Sequence, residues 1–227
     1  MVQRAEEVGD EVYEPPVHLP PKDDPDTLDL DPSRHERTQI QSGAPPKQDP
    51  EKRRHNFDEV FLGYDEAQAI VEATRCIHCP SPEPCILGCP LRNDIPRALL
   101  FIEQRDYIAA ATVFRLTSNL PEVCGRICPQ EILCEGSCTI GAHDKPVTIG
   151  KLEAFCADYQ RRSRGLPART IAPATGKRVA VVGSGPAGIA AAEELRVRGH
   201  EIVVYEALPK PGGLLVGSLG IAVIVSQ

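Results

Sequence analysis

Eight of the nine cysteines in this chain of 227 residues fall into two tight groups, at residues 76–89 and 124–138, and no other feature constrains the fold as much. The first group reads Cys76-x2-Cys79-x5-Cys85-x3-Cys89-Pro90. The second reads Cys124-x3-Cys128-Pro129-x4-Cys134-x3-Cys138. An odd total argues against a disulfide framework. The first twelve residues carry Glu6, Glu7, Asp10 and Glu11 and lack the apolar stretch of a secretory signal. A cytoplasmic location is therefore expected, where thiols stay reduced and clustered cysteines serve as metal ligands.

Thiolates are soft, strong donors for iron, and close spacing lets one loop wrap a cluster at little extra ordering cost. In two-cluster ferredoxins the cysteine that precedes proline reaches across to the other cluster. Cys89-Pro90 has that form, and the same crossing sends Cys138 back to the first group. The first cluster then takes Cys76, Cys79, Cys85 and Cys138, whereas the second has Cys89, Cys128 and Cys134 and needs one more ligand. Cys124 is the candidate nearest in sequence. Zinc is the rival, because four-cysteine sites also use Cys-x2-Cys turns. The Cys-Pro pairs favour iron.

Residues 1–54 are acidic and proline-rich, with a single aromatic, Tyr13. Such a segment buries too little apolar area to offset its ordering entropy, so a mostly disordered or draped extension is expected. Residues 55–165 read as helical. Asp65 and Gln68 form a capping pair ahead of a face made by Ala67, Ile70, Val71 and Thr74. Asp94 can cap a second helix, Asp106 starts a third, and a fourth runs from about Ile149 to Arg164, with Gly165 closing it. Its apolar face is Leu152, Phe155, Cys156 and Tyr159. Residues 166–177 form a linker.

From residue 178 the texture changes. A short apolar strand at 178–182 leads into Gly183-Ser-Gly-Pro-Ala-Gly188, an alanine-rich helix follows, and a second strand at 201–205 ends at Glu206. A β-α-β unit of this kind opens a doubly wound, Rossmann-like sheet. Gly183 permits the tight turn, Gly185 lets backbone approach a pyrophosphate, and Gly188 lets helix and strand pack closely. Glu206 is placed to bind ribose hydroxyls. Gly212 and Gly213 form either a second close approach to a long cofactor or a plain surface turn. Spacing alone leaves FAD and NAD open.

With these pieces assembled, Arg75-Cys-Ile-His-Cys79, Cys85-Ile-Leu-Gly-Cys-Pro90 and Cys124-Gly-Arg-Ile-Cys-Pro129 resemble the two-cluster domain of a flavoprotein family. That family includes the glutamate synthase small subunit, the large subunit of NADH-dependent reduced ferredoxin:NADP oxidoreductase and the N-terminal part of dihydropyrimidine dehydrogenase. Residues 179–213 resemble its FAD-binding start. The resemblance implies two [4Fe–4S] clusters beside FAD and NAD(P)H bound by a separate domain. It also implies electrons passed to a redox partner subunit, which in glutamate synthase makes glutamate from glutamine and 2-oxoglutarate. It further implies an oxygen ligand for the second cluster, and the matching residue is Glu153. After Leu215 the sequence departs from the family, so residues 178–227 are expected to hold only a truncated FAD-binding unit, inactive alone.

A net charge of −7 offers no basic surface to nucleic acid, and no apolar run is long enough to span a bilayer. No residue stands out as a general acid, base or nucleophile. Two other functions fit the same residues: a zinc-stapled interaction module, and a stand-alone cluster electron carrier.

Overall fold

A computed structural model describes residues 19–21, 23–24 and 28–217. The expectations for residues 1–18 and 218–227 lie outside the described residues. Helices come first: α1 (Arg34–Arg37), α2 (Pro50–Arg53), α3 (Glu66–Thr74), α4 (Pro84–Gly88), α5 (Ile95–Glu103), α6 (Tyr107–Arg115), α7 (Pro121–Ile127) and α8 (Ile149–Arg164). Strand β1 (Arg178–Val182), helix α9 (Pro186–Val197), strand β2 (Glu201–Tyr205) and a last turn of helix, α10 (Leu214–Gly217), follow.

The helical layer packs around α5, α6 and α8. Ile95, Leu99, Ile102, Phe114, Leu152 and Cys156 are buried together, at roughly 1.5–3 kcal/mol for each large apolar side chain. Tyr107 meets Phe155 and Tyr159 edge-on, with ring centroids 5.1 and 4.8 Å apart. Edge-to-face pairs of this kind add about 0.5–1.5 kcal/mol beyond burial.

Local signals act where the chemistry requires them. Asp65 accepts from Gln68 N at 2.8 Å and Gln68 answers on Asp65 N at 3.1 Å, a closed capping box. Asp106 caps α6 through Ala109 N at 2.9 Å, and Gly165 ends α8 at φ 74°. Asp94 sits at the N-cap of α5 without a side-chain capping bond. The buried face of α3 also differs from the expected one: Ala69, Glu72 and Ala73 point inward, and Val71 is 51 % exposed. Polar pairing outweighs apolar periodicity here, because Glu72 is drawn inward by Arg75 at 2.8 Å and by Thr148 N at 2.9 Å.

Residues 28–54 take the draped form of the expected extension. They lie against the helical layer, and buried Arg37 pairs with Glu103 at 2.8 Å. The Gly43 carbonyl accepts from Tyr64 Oη at 2.9 Å. Charge-assisted bonds to buried groups supply what the segment lacks in apolar area.

Strands β1 and β2 pair in parallel, Val179 opposite Ile202 and Val181 opposite Val204. Val182 is 87 % exposed and Tyr205 59 %. Residues 166–177 run beside the turn after α9: Ala172 N bonds Val197 O at 2.8 Å and Thr175 N bonds Gly199 O at 3.1 Å. Asn119 Nδ2 reaches Ala190 O at 3.2 Å and ties α9 to the helical layer.

Candidate metal centres and dinucleotide turn

Helix α3 ends one residue before Arg75, whose guanidinium fixes the exit of the chain. It bonds the carbonyls of Ile40, Pro146 and Lys145 at 3.1, 3.2 and 2.5 Å. This knits the first cysteine turn to the segment that follows Cys138. The structure brings Cys76, Cys79, Cys85 and Cys138 to one small, partly open hollow, backed by Ile77, Leu99 and Val147. Burial pushes the Cys76 thiol up to about 12, with smaller contributions from Cys138, Glu103 and Cys79. Cys85 is raised by burial and then by Cys76, Cys138 and Cys79. Four sulfurs that repel one another's charge are a donor set for a positive group.

Glycine makes the two cysteine groups meet. A Cβ on Gly88, in α4, would stand 2.7 Å from Leu133 O and would also strike Ser137. Only hydrogen fits between the turn carrying Cys85 and Cys89 and the loop carrying Cys134 and Cys138. A Cβ on Gly125 would lie 2.6 Å from both Ala154 N and Gly150 O. That contact sets α7, with Cys124, against the first turns of α8, with Glu153.

The second group of donors lies there. Cys134 is raised to about 12 by burial first, then by Glu135 and Cys89, with Glu153 a smaller contributor. Cys128 is raised by its hydrogen bond with Cys124, then by burial, and it also senses Glu153 and Cys134. Cys124, in the same bond, is lowered. Glu153 is buried, and its Oε1 has no hydrogen-bond partner. Burial raises its carboxyl well above the ordinary range, and Cys124 adds to the shift. An orphaned buried acceptor among thiols fits a cationic ligand site. Among the described residues, no three His, Cys, Asp or Glu side chains converge closely enough to hold one metal ion.

At the other site, β1 ends at Val182, and Gly183 after it takes φ 92°, as a left-handed turn requires. A Cβ on Gly188 would collide with Gly183 O, so strand and helix meet through hydrogen alone, whereas at Gly185 a Cβ would meet open space. The start of α9 therefore presents bare backbone, the form an anionic phosphate needs. Glu206 accepts from Ser184 N at 2.9 Å, from Ser184 Oγ and from Leu208 N at 2.8 Å. Those bonds, the Ser184 hydroxyl first, hold its carboxyl down to about 2. Gly212 N donates to Ser184 O at 3.0 Å, and a Cβ on Gly213 would lie 3.0 Å from Gly185 Cα. The second glycine pair thus closes over the first turn.

Two family models match in chain order. Dihydropyrimidine dehydrogenase domain II, 4Fe-4S cluster, covers residues 53–165, and an NAD(P)-binding Rossmann-like domain covers residues 181–216. The glutamate synthase [NADPH] small chain of Escherichia coli (strain K12) is 40 % identical over 176 residues, 78 % of this chain and 37 % of that one. This chain matches the N-terminal part of the glutamate synthase small-chain family. A second member, from Azospirillum brasilense, is 41 % identical over 174 residues, 76 % of this chain and 36 % of its own length. The NAD-dependent dihydropyrimidine dehydrogenase subunit PreT of Salmonella typhimurium is 36 % identical over 159 residues, 70 % of this chain and 38 % of that subunit. The chain therefore spans little more than a third of these relatives. Its helical part is a 4Fe-4S domain, and its parallel strand pair carries the Rossmann-like start. Among the described residues, no helix is long and apolar enough to cross a membrane.

Sequence reasoning missed the residues behind the cysteines. Arg34 and Arg37 grip the first turn from a segment whose composition signals nothing of the kind, and Ser184 answers Glu206. The Ser184 contact was legible only as a small residue in the glycine turn. The two arginines had no signal in spacing or periodicity.

Proposed function

We propose that this chain carries two [4Fe–4S] clusters and part of an FAD site, and passes electrons between NAD(P)H-reduced flavin and a redox partner subunit. This is the role of a glutamate synthase small subunit. One observation carries the reading: Cys138, from the second cysteine group, lines the same hollow as Cys76, Cys79 and Cys85 from the first. A crossing of that kind is the two-cluster ferredoxin arrangement.

Cys76, Cys79, Cys85 and Cys138 would hold the first cluster, and Cys89, Cys128, Cys134 and Glu153 the second. Gly183, Gly185 and Gly188 would receive the FAD pyrophosphate, with Gly212 and Gly213 closing over it, and Glu206 would bind a ribose. Bound clusters supply single-electron transfer, and bound flavin converts a hydride into single electrons. The chain's own residues hold, orient and shield. Leu99, Ile95 and Val147 wall the first hollow with apolar surface, and burial of this kind sets cluster potential. Nine free thiols suit a reducing compartment, so the cytoplasm is the proposed location.

Anaerobic reconstitution with iron and sulfide tests the reading. The expected product is brown, holds eight irons per chain and bleaches with dithionite. A colourless protein with stoichiometric zinc would establish the zinc-stapled module instead. Clusters without flavin retention, in a form that contains the whole flavin domain, would establish the stand-alone electron carrier.

A further inference from the structure

The turn at residues 76–79 is gripped from outside by two arginines that lie before the matched cluster domain. Arg34 donates through Nε to Ile77 O at 3.0 Å and through Nη2 to His78 O at 3.2 Å. Arg37 donates through Nη1 to Thr74 O at 3.1 Å and to Cys76 O at 2.9 Å. Three successive carbonyls, those of residues 76, 77 and 78, are thus held by two guanidinium groups. Arg37 is itself fixed by Glu103 at 2.9 and 2.8 Å, and Glu103 also meets His78 Nε2 at 3.0 Å. His78 stands at φ 46°, a conformation uncommon for L side chains.

A trans peptide places its C=O and N–H on opposite sides. Carbonyls fixed outward therefore turn the amide N–H groups of the next residues inward, toward the hollow. Hydrogen bonds to cluster sulfurs raise a reduction potential by stabilising the more negative, reduced state.

We propose that Arg34 and Arg37 are positioning residues for the first cluster: they hold the peptide dipoles of residues 76–79 on its sulfurs and so make it easier to reduce. The proposal rests on the assignment of Cys76, Cys79, Cys85 and Cys138 as that cluster's ligands. It gives residues 28–40 a task in electron transfer.

EPR-monitored redox titration of the reconstituted full chain decides it. The first cluster is identified as the signal that Cys79→Ser alters. In Arg34→Ala the first cluster should become about tenfold harder to reduce, about 59 mV for one electron, while the second stays in place. Arg34 is half-exposed and its loss leaves the Arg37–Glu103 pair intact, so folding is retained. Arg34→Lys keeps the charge but cannot bridge two carbonyls, and most of the shift should persist. No shift in Arg34→Ala, an equal shift of both clusters, or full recovery in Arg34→Lys would each overturn the positioning role. A wild-type chain without any cluster signal would instead bring down the cluster assignment, and this inference with it.

Discussion

Glu153 lies buried beside Cys124, its carboxyl pushed well above the ordinary range first by burial and then by the nearness of that sulfur. Burial and the sulfur both work against its ionisation, and Arg115 opposes them only as the smallest contributor. Both the carboxyl and the Cys124 thiol become acceptors when deprotonated. A cluster iron would satisfy one of them directly. The carboxylate has the stronger claim, because its Oε1 is unpartnered, whereas Cys124 already bonds Cys128 and lies 3.7 Å from Ser118 Oγ.

Cys124→Ser should therefore retain both clusters, whereas Glu153→Ala should alter one. Iron content and EPR of the two variants are the measurements. Loss of a cluster in Cys124→Ser together with an unaffected Glu153→Ala would reverse the assignment.

Thiol chemistry in the cluster-free protein should be uneven. Cys76 and Cys134 are raised to about 12 and stay protonated at pH 8, while Cys124 is lowered. Thiolate is the reactive form, so brief iodoacetamide treatment at pH 8 should label Cys124 before Cys76 or Cys134. Peptide mass mapping reads the order. Because ligands bind deprotonated, cluster loading should also release protons into a weakly buffered solution, and a pH electrode would follow it.

Gly88→Val should damage both centres at once. Its side chain would collide with Leu133 O and Ser137, forcing apart the turns that carry Cys85, Cys89, Cys134 and Cys138. The expected cost is about 1–3 kcal/mol of stability, seen as a lower thermal midpoint, with reduced iron content in whatever folds. Full iron loading in this variant would show that the close approach is dispensable.

Glu206→Ala should weaken flavin retention roughly tenfold, in a form that contains the whole flavin domain, through loss of one charge-assisted hydrogen bond to ribose. Flavin release during dilution, followed by fluorescence, is the readout. The carboxyl's low pKa, about 2, means that it stays ionised at all pH values above that. Retention should therefore not fall between pH 7 and pH 5 through this group.

Much of the site was legible in the sequence because its chemistry is written in residue types at fixed spacing. Cysteine thiols and glycine turns admit few substitutes, so the two groups and the turn at residues 183–188 stand out before any fold is known. Residues whose role depends on tertiary placement did not stand out. Arg37 is one arginine among many until Glu103 and the Cys76 carbonyl are found beside it. The buried face of α3 was misread for the same reason, since a glutamate counted as polar turns inward once Arg75 is there to meet it. Helices α4 and α7 are short, and the cysteines and glycines within them obscure the apolar rhythm.

The meeting of Cys138 with Cys76, Cys79 and Cys85 also dictates an order of manufacture. A growing polypeptide leaves the ribosome amino end first, so three of the four thiols reach the cell on the order of seconds before the fourth. During that interval they form an open claw, able to capture stray metal or to be oxidised. Any factor that loaded iron and sulfur there would have to wait for the later segment, or shelter the early thiols until it arrived.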